Sequence, residues 1–161
     1  MEPIENLRKE ITMLVETKVK TEQMVDNKVK KRPVTYILNT EFFSTAEYSV
    51  TALLEKEQQE GTLRDYEIQS MRISPIKEIA NQYHGEHSYL ATLKDVWTED
   101  DGTEKYLKYK VLLWADNLQE AIANTHEMAK EGYEMLVESL KEVDYIYLGN
   151  AVEYKEEESD E

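Results

Sequence analysis

The sequence predicts an α+β protein made of two tandem strand-strand-helix-strand units that share one core. The prediction rests on a pattern that occurs twice in the same order: two strands, a helix and a further strand. In this alignment Thr17, Ala46 and Ser70 correspond to Thr92, Ala121 and Ser139, respectively. A unit of about 70 residues cannot easily cover both faces of a three-stranded sheet, so we expect the two copies to cover each other. The composition, with 40% hydrophobic residues among 161, supplies enough apolar side chains for that core.

The predicted repeat divides the chain into four segments. Pro3 precedes Ile4, Leu7 and Ile11 at helical spacing, which predicts a short amphipathic helix that packs on the sheet or on a second copy. The end of the chain is strongly acidic, which is typical of a solvated, disordered tail. The expected segments are an N-terminal helical extension, the first unit, the second unit and the acidic tail, at residues 1–12, 13–80, 81–150 and 151–161.

Local patterns place the elements of the first unit. Apolar and polar residues alternate from Met13 to Thr21, which predicts a strand with one face in water. Asp26-Asn27 predicts the turn to a return strand that ends near Leu38. Ser44 and Glu47 have the spacing of a capping box, so we expect a helix over 45–60 with Gly61 as its stop. Residues 65–73 then form the third strand.

The second unit is predicted in the same way. Glu99-Asp100-Asp101-Gly102 is the hairpin turn, residues 104–114 form its second strand, and Asp116 with Gln119 begins the second helix. Residues 135–148 are the last strand region. The polar stretch 77–86 is predicted to be the seam between the units.

Composition excludes several classes of function. The net charge of −15 and the lack of an apolar run of the roughly 20 residues that cross a bilayer argue against membrane binding and indicate a cytoplasmic protein. No cysteine is present, and His84 and His87 flank Gly85 without a third ligand nearby, so we expect no metal and no other cofactor. With no glycine-rich phosphate loop and no nucleophile elbow, an enzyme is the least favoured class.

A basic first hairpin and an aromatic second hairpin predict a nucleic-acid interface. Lysines that alternate with rings on a strand suit a tracked phosphate backbone and stacked bases, so we expect weak binding of single-stranded DNA. The competing interpretation is that the rings belong to the core and the lysines only solubilise the strand. The predicted binding residues are Lys18, Lys20, Lys28, Lys30, Lys31, Arg32, Lys108 and Lys110, with Tyr106 and Trp114 as stacking rings.

The acidic tail has a part in this prediction. A negative C-terminus competes with DNA for a basic surface in the acidic-tailed single-strand-binding proteins of some phages, which makes the tail of this chain an expected autoinhibitor. The alternative is an acidic protein-protein interaction module that has a basic protein partner and no nucleic-acid binding. In either case we expect a monomer or a weak homo-oligomer.

Several motifs also resemble a known family. Thr17-Lys18-Val19-Lys20, the helix entry Phe43-Ser44-Thr45-Ala46-Glu47 and the strand end Arg72-Ile73-Ser74-Pro75-Ile76 follow one another in this order. Over residues 13–148 the chain resembles an uncharacterised domain-of-unknown-function family of Bacteroidetes and their phages. The resemblance implies a phage or mobile-element setting and carries no established activity.

Overall fold

Long strands dominate the computed structural model, which describes residues 13–80, 84–131 and 135–151. The predicted N-terminal helix and acidic tail lie outside these residues. In chain order the elements are β1 (Met13–Val25), β2 (Lys28–Thr40), α1 (Phe43–Gln59), β3 (Asp65–Ile73), β4 (Ile76–Ala80), β5 (His87–Thr98), β6 (Glu104–Ala115), α2 (Leu118–Glu131), β7 (Leu136–Val143) and β8 (Tyr145–Asn150).

The strands form two four-stranded sheets, with the orders β3-β1-β2-β8 and β4-β6-β5-β7. In each sheet three strands are antiparallel, and the fourth is a parallel edge strand: β8 beside β2, and β4 beside β6. The chain divides accordingly into two compact units. Unit 1 holds the described residues up to Ser74 and from Tyr145 onward, and unit 2 is Pro75–Asp144. The edge strand β8 of unit 1 therefore follows β7 of unit 2 in the chain, and the edge strand β4 of unit 2 follows β3 of unit 1.

The predicted fold class is wrong. The protein is mostly β, with two helices among the described residues, and it is not an α+β protein of two strand-strand-helix-strand units with a shared core. The prediction missed β4, because Lys77 and Glu78 made this segment read as a polar seam. It also merged β7 and β8 into one strand region, although only β7 pairs with β5.

Each unit has its own buried cluster. In unit 1, Val15 and Val19 of β1 and Leu38 of β2 pack with Val50 and Leu54 of α1, and all five are fully buried or nearly so. The corresponding cluster of unit 2 consists of smaller side chains beneath α2. It contains Tyr89, Ala91, Leu93, Val111, Leu113, Ala115, Ala121 and Ala129. Two cores thus replace the single core that the sequence predicted.

Both helices begin close to the predicted positions but with different caps. Phe42 is the N-cap of α1, with no side-chain cap, so Ser44 lies inside the first turn instead of starting the helix. In α2 the cap is Asn117, whose Oδ1 accepts the backbone N–H of Glu120 at 2.8 Å, one residue beyond the predicted Asp116 and Gln119. The predicted capping box of α1 is therefore wrong, and the predicted cap of α2 is correct in kind but misplaced by one residue.

Candidate functional site

Each sheet continues into a two-stranded ribbon that extends past its neighbouring strands. The ladder between β1 and β3 ends at Glu22, and β8 joins β2 only from Thr35 onward. The ladder between β5 and β7 likewise ends at Lys94, and β4 joins β6 only from Lys110 onward. We call residues 23–34 the first ribbon and residues 95–109 the second ribbon. Their strands pair only with each other within the described part of the chain, so both ribbons present their side chains on two faces.

The first ribbon turns tightly at Asp26 and Asn27. Both residues have positive φ, 52° and 63°, as a type I′ turn requires, and the right-handed strand twist favours this turn. Both strands therefore keep an unbroken register, from the pair Val25–Lys28 down to Met13–Thr40. This fixed register decides which basic side chains lie on the same face.

The six basic residues predicted in this hairpin divide between its two faces. Lys28, Lys30 and Arg32 alternate along β2 and lie on one face, all of them exposed. Their partners on β1 are the uncharged residues Val25, Gln23 and Thr21, respectively. We call this side, defined by Lys28, Lys30 and Arg32, the cationic face; no carboxylate lies among its cross-strand partners.

The opposite face has mixed charge. Lys20 pairs with Glu67 of β3, and Lys31 Nζ lies 3.8 Å from Glu22 Oε1. A shallow depression of about 160 Å³ lies here, lined by Lys20, Glu22, Lys31, Asp65, Tyr66 and Glu67. Three carboxylates thus surround two ammonium groups. Lys18 is also exposed on this face, where it lies opposite Ser70.

The second ribbon holds the remaining predicted residues, and they differ in exposure. Tyr106 is 57% exposed, whereas Trp114 is 4% exposed and lies in the buried inner half of β6. A buried ring cannot stack on a base, which leaves Tyr106 as the accessible ring of the predicted pair. Lys108 Nζ lies 3.2 Å from Glu138 Oε2, and Lys110 is half-buried.

Two aromatic contacts shape the outer part of this ribbon. Lys94 Nζ sits 4.3 Å from the centroid of the Tyr106 ring, which is a cation–π arrangement. Trp97, which the sequence analysis did not select, is 43% exposed, and its indole N–H donates to Glu99 Oε1 at 3.3 Å. Its position on the same face of β5 as the charged residue Asp95, next to an acidic turn, was the available indication of exposure.

Hydrogen bonds order the acidic turn of the second ribbon. Asp101 Oδ1 accepts the backbone N–H of Thr103 at 2.9 Å, and hydrogen bonds from Thr103 lower the pKa of the Asp101 carboxyl. Gly102 completes the turn with φ of 87°. Asp101 is therefore a structural residue of the turn and remains ionised at neutral pH.

All three histidines of the chain, His84, His87 and His126, lie among the described residues. No group of three or more His, Asp or Glu side chains there could hold a metal ion, and His87 Nδ1 instead lies 3.3 Å from Glu142 Oε2. Neither described helix is long and apolar enough to cross a membrane.

Comparison with known proteins identifies the family. Residues 13–146 match the family model described as "Domain of unknown function (DUF4494)", and the chain belongs to this family. No curated protein and no solved structure matches the chain. The family match covers all strands of both sheets except the end of β8, so the two ribbons are part of the family domain.

Proposed function

We propose that this protein is a non-enzymatic accessory protein that binds single-stranded DNA weakly through the cationic face of the first ribbon. The observation that carries the proposal is that Lys28 and Lys30 are exposed on one side of a projecting ribbon, opposite the uncharged residues Val25 and Gln23. Arg32 adds a third exposed cation to the same side. On the opposite face, by contrast, the carboxylates of Glu67 and Glu22 lie next to Lys20 and Lys31, respectively.

The spacing of these cations suits an extended phosphate chain. A strand rises about 3.3 Å per residue, so alternate side chains of β2 repeat at roughly 7 Å along one face. A single strand is flexible enough to follow such a row, and its affinity then comes chiefly from counterion release. Base stacking adds little in this arrangement, because Tyr106 already has Lys94 over its ring. We therefore expect binding that is weak, sequence-tolerant and steeply salt-dependent.

The setting of this activity is part of the proposal. The acidic end of the chain, with Glu156, Glu157 and Glu158 in a row, would compete with phosphates for the cationic face. The resemblance described above suggests a phage or mobile-element protein that works in the cytoplasm of a bacterial cell. A tail that regulates access to a basic ribbon fits such an accessory protein.

The test is a titration of a labelled single-stranded oligonucleotide by fluorescence anisotropy at about 50 mM and about 200 mM salt. Replacing Lys28 and Lys30 with Ala should weaken binding and make the log–log salt slope shallower by about 1.4, since each lost phosphate contact contributes about 0.7. Replacing Lys18 and Lys20 with Ala is the matched control, which removes the same charge from the mixed face. Equal effects of the two variants would contradict the assignment of the cationic face.

Removing the acidic tail sharpens the test. Deleting residues 153–161 should strengthen binding, because six acidic residues and one lysine leave with the segment. No detectable binding by this shortened protein at low salt would reject the nucleic-acid function.

A protein-interaction module is the second candidate function. Exposed apolar side chains on both faces of the second ribbon favour it. Leu107 and Trp97 lie on one face and are 62% and 43% exposed, and Tyr106 and Val96 lie on the other and are 57% and 40% exposed. Such a surface suits a protein partner better than a polyanion, because acidic residues surround it. Retention of a partner after the replacement of Lys28 and Lys30 would separate this function from DNA binding.

A further inference from the structure

The two ribbons carry opposite charge. The first ribbon has four basic residues, Lys28, Lys30, Lys31 and Arg32, and one acidic residue, Asp26. The second ribbon has two basic residues and five acidic ones, Asp95, Glu99, Asp100, Asp101 and Glu104. Their formal charges are therefore +3 and −3. The first ribbon is the end of the β1–β2 hairpin and the second is the end of the β5–β6 hairpin, so every copy of the protein presents one ribbon of each sign.

The second ribbon also has groups that attract ammonium and guanidinium ions. Lys94 above the Tyr106 ring, at 4.3 Å, demonstrates that a ring face of this ribbon holds a cation. Trp97 offers a second exposed ring, and the hydrogen bond from its indole holds the Glu99 carboxylate beside it. A ring next to a carboxylate binds a basic side chain by both cation–π and charge-assisted contacts.

Exposed apolar side chains accompany the charges on both ribbons. Val25 lies opposite Lys28 on the cationic face of the first ribbon and is 43% exposed. Val96 and Leu107 on the second ribbon are also exposed. Contact between the ribbons would cover apolar surface and pair opposite charges at the same time, and this combination gives both affinity and orientation.

We propose that the acidic second ribbon of one copy binds the basic first ribbon of another copy. The contact joins two different surfaces, so it produces a closed dimer when two copies engage reciprocally and an open chain when they do not. This self-association does not depend on DNA binding. It occupies the cationic face, however, so an oligonucleotide should compete with it.

The test measures the dissociation constant of self-association by sedimentation equilibrium of the full chain at two salt concentrations. At about 0.1 M salt, the long-range repulsion between acidic molecules is screened. At about 1 M salt, the ion pairs in the contact are screened as well. Lys28→Glu with Lys30→Glu should raise the dissociation constant at least about tenfold, and Asp100→Lys with Glu104→Lys should do the same. Asp101 is left unchanged, because its carboxylate orders the turn.

A charge swap makes the test specific. A variant with all four substitutions has ribbons of opposite sign again, so its association should recover relative to either double variant. Lys77→Glu with Lys141→Glu changes the total charge as much as the first double variant, at exposed positions of β4 and β7, and should leave the association unchanged. Replacing Glu156, Glu157 and Glu158 with Gln tests the tail as the occupant of the first ribbon.

The possible results separate the proposals. Recovery in the four-substitution variant, together with dissociation at high salt, supports the contact between ribbons. A monomer at every salt concentration, an association that neither double variant weakens, or a swap that restores nothing would overturn it. A strong increase in association when the tail is neutralised supports the proposal and identifies the tail as a competitor. Oligonucleotide binding that survives in the Asp100→Lys, Glu104→Lys variant, where self-association is weakened, shows that DNA binding does not require the contact between ribbons.

Discussion

Replacing Thr17 with Val should stabilise the protein, although it changes a fully buried residue. Thr17 is 0% exposed on the core face of β1, and its Oγ1 has no hydrogen-bond partner among the described residues. Burying a hydroxyl without a hydrogen bond costs about 1–3 kcal/mol, and Val has nearly the same shape and a strong preference for strands. We expect the free energy of unfolding to rise by about 1–2 kcal/mol, which raises Tm by about 2–8 °C in a protein of this size.

The assay must report on unit 1. Trp97 and Trp114 are the only tryptophans, and both lie in unit 2, so tryptophan fluorescence would miss a separate transition of unit 1. Differential scanning calorimetry and far-ultraviolet circular dichroism detect both units. Thr125→Val is the control: this buried hydroxyl donates to the Ala121 carbonyl at 2.7 Å, and its loss should cost about 0.5–1.5 kcal/mol. A destabilised Thr17→Val protein, or equal effects at the two positions, would refute the reasoning.

Three further predictions test other parts of the structure. Trp114→Ala should destabilise the protein by about 3–5 kcal/mol in calorimetry, whereas Tyr106→Ala should change stability little, because the first ring is buried and the second is exposed. Gly85→Ala should lower Tm by an amount equivalent to about 1–3 kcal/mol, since a Cβ there would lie 2.4 Å from the backbone carbon of Ala115. Burial, and then the hydrogen bond to Glu78, raises the pKa of Tyr109, so stability should fall as the pH rises above about 10, less steeply in Tyr109→Phe.

The local pattern of the sequence predicted individual elements well. The alternation along β1 buries Val15, Thr17, Val19 and Thr21, as its period of two requires. On the face predicted to meet water, Lys18 and Lys20 are exposed, but Glu16 is buried. The third strand begins at Asp65 and ends at Ile73, as expected. These features depend on neighbouring residues alone, so a single sequence is sufficient to find them.

Features that depend on distant residues could not be found in this way. β4 is a short polar segment that becomes a strand only because Ile76–Ala80 meets the edge of β6, more than thirty residues further along the chain. The alignment of Thr17 with Thr92 is also off by one. Lys18 lies opposite Ser70 and Thr92 lies opposite Ser139, each immediately before a bulge, so Lys18 is the residue that corresponds to Thr92.

The candidate site shows the same limit. The alternation of Lys and aromatic residues in β6 predicted one exposed face along the whole strand. The outer half of the strand is exposed, but residues 111–115 are buried on both faces, and Trp114 is among them. A period of two indicates which residues lie on the same face, and tertiary packing decides whether that face meets water.

The parallel edge strands β8 and β4 explain why the side chains of the ribbons are less constrained than those of the rest of each sheet. β8 pairs with β2 only over Thr35–Asn39, and β4 pairs with β6 only over Lys110–Leu113, so both cover the inner halves of the central strands. The inner halves of the central strands form hydrogen bonds with a strand on each side and contribute side chains to the core, and both requirements constrain their residues. The outer halves have neither constraint. A basic ribbon and an acidic ribbon are therefore both compatible with the pairing of the inner halves, which is why our functional proposals concern the ribbons and not the sheets.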